Sequence, residues 1–430
     1  MRVLVTGAYG FIGAHIVAAL TAADHQVVCA VREGRVDSRF TGLRAIACDM
    51  AADVQVEDWM PRLAGVDAVV NSAGILRERG RDKFTLVHER VPLALFRACQ
   101  HLGIRRVIQI SALGQADDGE FIASKHRGDE TLAALDLDWL ILRPSLVYSA
   151  RGSFGGTSLL RGLAALPGVL LLPGSGNQRV QPIAAQDVGL AVAAALARPS
   201  VARQVIALVG PQVLSLRDYL LVWRKWLGFG RASTLRVPGW LVGIAAALGE
   251  RMGSGPLGNT MARMLERGNV GDQGACARLQ ESLGFAPRTL QQALTETPSE
   301  LQDRWHARLY FYLPLLRLSI ATLFIGSGVV GWLASATQIA AVAADGFLTS
   351  TGLLVLARLT ATADLVLGVL TLLRWRPRLV LMLMLLMVLG YTLGSGIAWP
   401  NHWLDPLGGL LKNLPLIAAL LVLLATVDRR

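Results

Sequence analysis

Three glycines spaced three apart, Gly7, Gly10 and Gly13, follow a short apolar run at residues 3–5 and open an apolar-faced stretch at residues 11–23. A strand that turns through glycines into a helix lets the backbone approach a pyrophosphate closely. It also aims the unpaired N–H groups of the first helical turn, those around Phe11, Ile12 and Gly13, at the phosphates. The spacing therefore predicts a dinucleotide site, and the strand-then-helix context supplies what a glycine triplet alone lacks. The end of the second apolar run, residues 26–31, bears on which dinucleotide. An NAD site there usually sets a carboxylate against the ribose 2'-hydroxyl, whereas Val31 is neutral and Arg32 follows it, able to pair with a 2'-phosphate. NADP(H) is favoured over NAD(H), the plain alternative being that Arg32 is one solvated arginine among many.

Other chemistry is sparse. Cys29, Cys48, Cys99 and Cys276 show no CxxC spacing, so they read as reduced core residues rather than metal ligands or disulfides, and no metal site is expected. The 430 residues carry a formal net charge of +11, yet only four of the 42 basic residues are lysines, and no basic run is interleaved with aromatics. Nucleic acid is not an expected partner; attraction to an anionic membrane surface accounts for the charge more simply. A 53% hydrophobic content and a mean hydropathy of +0.45 are too apolar for a wholly soluble enzyme. Met1-Arg2 leads directly into a strand and a glycine loop, so no signal peptide is expected there.

The elements that must position these residues alternate. Short β-branched runs at residues 3–5, 26–31, 43–48, 66–70, 106–110 and 139–142, with a seventh at 204–209, are separated by helix-length segments. That alternation predicts an α/β doubly wound parallel sheet (Rossmann) covered on both faces. We expect a nucleotide-binding domain over 1–150 and a substrate-side lobe over 151–300. An all-α four-helix transmembrane domain would follow over 301–430. Within the lobe, the glycine-rich stretches 152–156 and 173–177 are loops able to cover the cofactor. Asp187 precedes an alanine-rich stretch and reads as a helix cap. The apolar run 238–248 is too short to span a bilayer, leaving a buried or an interfacial helix, with burial favoured.

The set Thr6, Gly7, Gly10, Gly13, with Asp49 after strand three, Asn71-Ser-Ala-Gly74 after strand four, Ser111 after strand five, Lys125, Arg143-Pro144 and Gln181-Pro-Ile-Ala-Ala-Gln-Asp187, resembles the short-chain dehydrogenase/reductase superfamily in its extended or atypical branch. The resemblance covers about residues 1–300. It implies that Ala73 and Gly74 border the cofactor and that Asp49 binds adenine; locally Asp49 could equally cap the next helix. It also implies a catalytic Ser at Ser111, which polarises a carbonyl, and a Lys at Lys125, which holds the nicotinamide ribose and lowers the pKa of a Tyr four residues earlier. A phenol with a pKa of about 10 needs that help near neutrality. Here the stretch reads Phe121-Ile-Ala-Ser-Lys125, so the tyrosine position holds Phe. Three readings stay open: a substitute acid among Tyr148, His88 and His126; a reaction that needs no carbonyl acid, such as hydride transfer to a quinone or flavin; or nucleotide binding without turnover. The last is the role ascribed to the superfamily member among the accessory subunits of respiratory complex I.

Four segments, 309–334, 352–373, 379–399 and 407–427, have the length to cross a bilayer. Arg304 and Arg308 precede the first, Arg374, Arg376 and Arg378 separate the second and third, and Arg429 and Arg430 close the chain, while the loops near Asp345 and His402 lack Lys and Arg. The asymmetry predicts a multi-pass protein of a bacterial inner (cytoplasmic) membrane with both termini cytoplasmic. Asp364 and Arg317 fall at similar depth and are expected to pair; Arg358 and Lys412 lie close enough to the outer edge to snorkel. Trp403-Leu-Asp-Pro-Leu-Gly-Gly-Leu-Leu-Lys-Asn-Leu-Pro415 and the four-span layout resemble the DoxX-like membrane family, which implies contact with quinone or another lipid-soluble partner. The sequence therefore leads to two expectations: an NADP(H)-linked oxidoreductase with a membrane-associated substrate, or a nucleotide-sensing or assembly factor for a membrane redox complex.

Overall fold

The computed structural model describes residues 1–32, 40–251, 259–342, 349–404 and 409–427. The expected features at Asp345, at the loop around residue 405 and at Arg429 and Arg430 lie outside these. The described chain divides into two units, Met1–Arg308 and Leu309–Arg430.

The first unit is built on seven parallel strands: β1 (Arg2–Thr6), β2 (Gln26–Val31), β3 (Arg44–Ala47), β4 (Ala68–Asn71), β5 (Arg106–Ile110), β6 (Asp138–Pro144) and β7 (Gln204–Leu208). Their order across the sheet is β7-β6-β5-β4-β1-β2-β3. The order reverses direction at β1, between β4 and β2, and in open parallel sheets the crevice beyond the strand ends at such a point is where ligands bind. Register places Thr6 level with both Ala30 and Asn71. The central strands are apolar on both faces because helices cover both. On one side α1 (Phe11–Ala22) and α5 (Ala185–Leu196) pack Ile16, Val17, Leu20, Val188 and Val192 against the sheet. On the other, α2 (Val91–His101) packs Leu95 and Phe96 with Trp59, Leu63 and Leu132 of α3 (Glu120–Ala133). Cys29, Cys48 and Cys99 lie buried in these cores as free thiols, each pushed well up by burial.

A second core within this unit joins α4 (Gly156–Ala164), α6 (Leu216–Trp226) and the helix Leu290–Thr295 through Leu160, Tyr219, Leu220, Trp223 and Leu294. Arg161 of α4 is 1% exposed. Its Nη2 donates to Asp303 Oδ1 at 3.1 Å and its Nη1 to the Gly152 carbonyl at 3.1 Å. Its guanidinium lies 4.9 and 5.0 Å from the rings of Trp223 and Trp226. Two expectations for this region change. Asp187 is the third residue of α5 rather than its cap. Its carboxylate turns inward, fully buried, to accept from the backbone N–H of Arg288 at 2.8 Å and from that residue's guanidinium. The apolar run 238–248 forms α7 (Gly239–Arg251), which is largely exposed rather than buried.

Among the described residues three helices are long and apolar enough to cross a membrane: α8 (Leu301–Leu333, which begins in the first unit), α9 (Ser350–Leu373) and α10 (Pro377–Ala398). The fourth expected span is shorter. Its described helix α11 runs Asn413–Ala425 after a 3₁₀ turn at Leu410–Lys412, and residues 410–425 at 1.5 Å per residue reach about 24 Å, less than a hydrocarbon core. Ile320, Phe324, Leu367, Met384, Val388, Leu420 and Leu423 form the interior of the second unit. Many leucines remain on its outside, including Leu318, Leu359 and Leu386. The expected Asp364–Arg317 pairing gives way to a different arrangement. Asp364 accepts from Ser327 Oγ at 2.9 Å and, more weakly, from Tyr391 Oη at 3.5 Å. Arg317 precedes Ser327 by ten residues, about 15 Å along the helix. Arg358 donates to the carbonyls of Gly331 and Ala334 at 2.8 and 2.9 Å and so caps the C-terminal end of α8. Lys412 is exposed.

Removing one partner of a buried pair strands the other charge, at a cost of about 3–5 kcal/mol. Asp303→Ala is accordingly expected to destabilise the first unit by roughly that amount. Denaturant unfolding of the full chain in detergent, followed by tryptophan fluorescence, reads it; a loss below about 1 kcal/mol would make the pair a surface contact in energetic terms.

Candidate functional site

The turn from β1 to α1 leaves no space for side chains. Gly7 adopts φ +62°, and a Cβ there would lie 2.9 Å from the Ala73 backbone; a Cβ on Gly13 would lie 2.1 Å from the Gly7 carbonyl oxygen. The Gly10 N–H donates to that same oxygen at 2.9 Å. Gly10 is the extended residue that starts α1 and offers no side chain as a cap. The N–H groups of the first turn, at Phe11, Ile12 and Gly13, thus have no capping acceptor, the state in which a helix start holds an anion. Behind the turn, Thr6 Oγ1 donates to Asn71 Oδ1, Asn71 Nδ2 donates to Gln109 Oε1 at 2.7 Å, and Ser72 Oγ donates to the Thr6 carbonyl at 2.6 Å. This buried chain of amides fixes the ends of β1, β4 and β5 against each other.

Lys125 comes to the same place from α3. Its Nζ donates to the carbonyls of Ala73 at 2.9 Å and Ile110 at 3.1 Å, and lies where a Cβ on Gly74 would fall, 2.9 Å away. Ala73, Gly74 and Lys125 are therefore brought together. Ser111 sits one residue past β5, but its hydroxyl donates to Asp129 Oδ2 at 2.8 Å, an oxygen that also receives Arg143 Nε and Nη2 at 3.0 and 2.9 Å. Burial raises the Asp129 carboxyl, while Ser111 and Arg143 oppose the rise. Sequence reasoning missed Asp129, although an acid four residues after a lysine on one helix face was a readable signal.

At the tyrosine position, the Phe121 ring meets His88 edge-on at 5.8 Å and Phe84 at 6.4 Å. His88 belongs to a π-helical stretch, Thr85–Arg90. Its Nε2 accepts from the Ile75 N–H at 3.1 Å, which assigns the ring proton to Nδ1, 2.8 Å from Ser124 Oγ. Burial, with Lys125 and Arg127 nearby, pushes this imidazole down to about 2, so it is neutral at any physiological pH. Tyr148 is buried in the second core against Trp223, its phenol pushed up by burial. His126 Nε2 lies 3.2 Å from the Ala112 carbonyl, and burial lowers its pKa. Tyr148 thus belongs to the second core, and His88 spends both ring nitrogens on Ile75 and Ser124.

Beyond β2 and β3, Arg32 and Asp49 do meet, at 3.9 Å, within a group that sequence reasoning did not foresee. Arg32 Nη2 donates to Asp82 Oδ1 at 2.7 Å, and Arg81 lies 3.4 Å from Asp49. The Arg32 side chain is 62% exposed. Asp49 Oδ1 also accepts from the Ala51 N–H at 3.0 Å, a local turn rather than the expected helix cap, since the next helix, Val56–Trp59, is capped by Gln55. Over the helix start, Phe154 from the loop 152–156 stacks on Phe11 with ring centroids 6.3 Å apart, so that loop does reach the glycine turn.

Burial pushes the Lys125 ammonium down to about 8, with Asp129 pulling the other way. Between that value and the ordinary lysine range the unfolded chain holds a proton that the folded chain has released, so stability rises with pH across the window. Thermal unfolding in detergent should show wild type gaining stability relative to Lys125→Met from about pH 8 to about pH 10. Parallel curves for the two proteins would contradict this.

Residues 3–209 match the NAD dependent epimerase/dehydratase family, and residues 321–421 match the DoxX-like family. The chain is 30% identical over 164 residues to an uncharacterized sugar epimerase of Bacillus subtilis, covering 36% of this chain and 75% of that protein. It is 28% identical over 149 residues to the ceramide reductase of Caulobacter vibrioides, 34% of this chain, and spans about half of that relative's length, 46%. The UDP-glucose 4-epimerase of Thermus thermophilus, solved in complex with NAD, superposes with a TM-score of 0.53 over 72% of this chain and 99% of its own. At 19% identity this is a likeness of fold. With the reversal of strand order at β1 and the glycine turn beside it, these matches establish that the chain belongs to the NAD dependent epimerase/dehydratase family over residues 3–209 and carries a DoxX-like domain after it.

Proposed function

We propose that the chain is a membrane-anchored, NADP(H)-binding oxidoreductase whose substrate is membrane-associated or quinone-like. The observation that carries this is the pairing of a complete dinucleotide cradle with an acid position filled by Phe121. Gly7, Gly10 and Gly13 leave the start of α1 open to a pyrophosphate, and Lys125 reaches the edge of the same crevice beside Ala73 and Gly74. When bound, the nicotinamide supplies a hydride. Lys125 would hold its ribose, Ser111 would face the reacting oxygen once released from Asp129, and Phe121, Phe84 and His88 make the adjoining wall apolar and aromatic. An electron acceptor that takes its proton from water after accepting the hydride, as a quinone can, does not require the missing tyrosine. The ceramide reductase relative adds weight to a lipid as the substrate class. The arginines between α9 and α10, set against the Arg-free outer loops, support an inner-membrane location with the first unit on the cytoplasmic side.

A second reading, a nucleotide-sensing or assembly factor for a membrane redox complex, is favoured by the engaged Ser111 hydroxyl and by His88, which lies against Phe121 with both ring nitrogens occupied. NADPH oxidation by detergent-purified protein, with and without a short-chain quinone, separates the two: quinone-dependent turnover supports the oxidoreductase, and intact NADPH binding with none supports the sensor. On the oxidoreductase reading Phe121→Tyr leaves quinone-dependent turnover within about twofold of wild type, since no acid is needed there. Good carbonyl reduction by wild type, with nothing gained in the variant, would show that the Phe is irrelevant.

The NADP(H) preference rests on Arg32, which would exchange Asp82 for the 2'-phosphate. Arg32→Ala should weaken NADPH about tenfold and NADH little, by titration at physiological salt. Tighter binding of NADH than NADPH by wild type would reverse the assignment.

A further inference from the structure

Helix α7 carries an apolar face that the first unit does not cover. Trp240 is 67% exposed, Leu241 42% and Ile244 50%, while Ala246 is buried. At 100° per residue the three exposed side chains fall within one 100° arc and Ala246 lies opposite, so the helix is seated on its small residue with its large ones turned out. The strand before it, Ser233–Val237, adds Leu235, also exposed. From residue 231 to 249 there is no acidic residue, and Arg231 and Arg236 are exposed. An indole among aliphatic side chains, preceded by arginines and with the helix's one acidic residue, Glu250, held back to its last turn, is the composition of a helix lying flat at a lipid headgroup layer. Thirteen residues are too few to span one.

The position of this helix in the chain points to the same occupant. The turn 227–230, just ahead of that strand, receives the last residues before the apolar part of α8. Ala307 is buried against Leu227, the guanidinium groups of Arg304 and Arg308 lie 5.9 and 4.7 Å from the Phe229 ring, and Arg304 Nη2 donates to the Gly228 carbonyl at 3.1 Å. The strand that delivers α7 thus starts three residues beyond the turn that holds the root of α8.

We propose that α7 is a second membrane contact, lying in the interface of an anionic bilayer with Trp240, Leu241 and Ile244 among the upper acyl chains and Arg231 and Arg236 at the phosphates. The proposal is independent of whether the dinucleotide site turns over. It is tested on the full chain in vesicles of phosphatidylcholine and phosphatidylglycerol that contain a phospholipid with a photoactivatable acyl chain, followed by peptide mapping of lipid adducts. Adducts are expected on Trp240, Leu241 and Ile244 as well as on α8, α9 and α10, but not on Leu190 or Val205, which are exposed apolar residues elsewhere in the first unit. The double variant Trp240→Ser, Ile244→Ser should lower adducts on α7 roughly tenfold and leave those on α9 and α10 unchanged. Labelled spans with an unlabelled α7, the pattern left if a second copy or the chain's own helices covered it, would overturn the proposal. So would labelling of α7 no greater than that of Val205, or labelling that the double variant does not lower.

Discussion

One carbonyl oxygen with no room beside it governs the geometry of the nucleotide-binding unit. The oxygen of Gly7 occupies the space a Gly13 side chain would need, and Gly7 itself closes against the backbone of Ala73. Any Cβ at these positions would part β1 from β4. It would also shift the start of α1, and with it the Ala73 carbonyl that receives Lys125. The phosphate cradle and the lysine are consequently one packing unit, positioned by backbone contacts before any ligand arrives. The Thr6, Asn71 and Gln109 side chains lock that unit from below, in a buried network whose members are costly to leave unpaired.

Against this prepared cradle stands a wall without a titrating group. Phe121, one helical turn before Lys125, carries no hydroxyl, and its neighbour His88 is held neutral by burial and by a backbone N–H that occupies Nε2. The π-helical stretch that carries His88 is therefore clamped onto α3 through Ser124, a structural use of a histidine whose composition alone suggests chemistry. A family defined by its dinucleotide fold can keep the binding half of its machinery and alter the reacting half, because the two halves rest on different contacts.

The sequence was most legible where burial leaves little freedom. The run 106–110 reads as a strand and is one over the same residues, since a β-branched stretch covered on both faces has few alternatives. The glycine turn was legible because its spacing encodes a steric requirement. Asp187 was misread as a cap because its partner, Arg288, lies a hundred residues further on and local pattern does not carry such a pairing. The same applies to Asp129, whose buried role depends on Ser111 and Arg143 arriving from two other strand ends. Helix α7 shows another kind of ambiguity: a segment apolar on every side says that water is avoided, without saying whether protein or lipid replaces it. The fourth apolar segment had a span's composition, but its described helix starts only at Asn413, preceded by a tighter 3₁₀ turn, and composition does not record where a helix begins.

The buried Arg161 has a consequence for the order in which the protein is made. Its cation is enclosed by Trp223 and Trp226 and neutralised by Asp303, a residue more than a hundred positions later. During synthesis the second core thus holds an unmatched charge until the chain has been extended to the root of α8. Completion of the N-terminal unit and emergence of the first apolar helix from the ribosome are thereby placed close together in time.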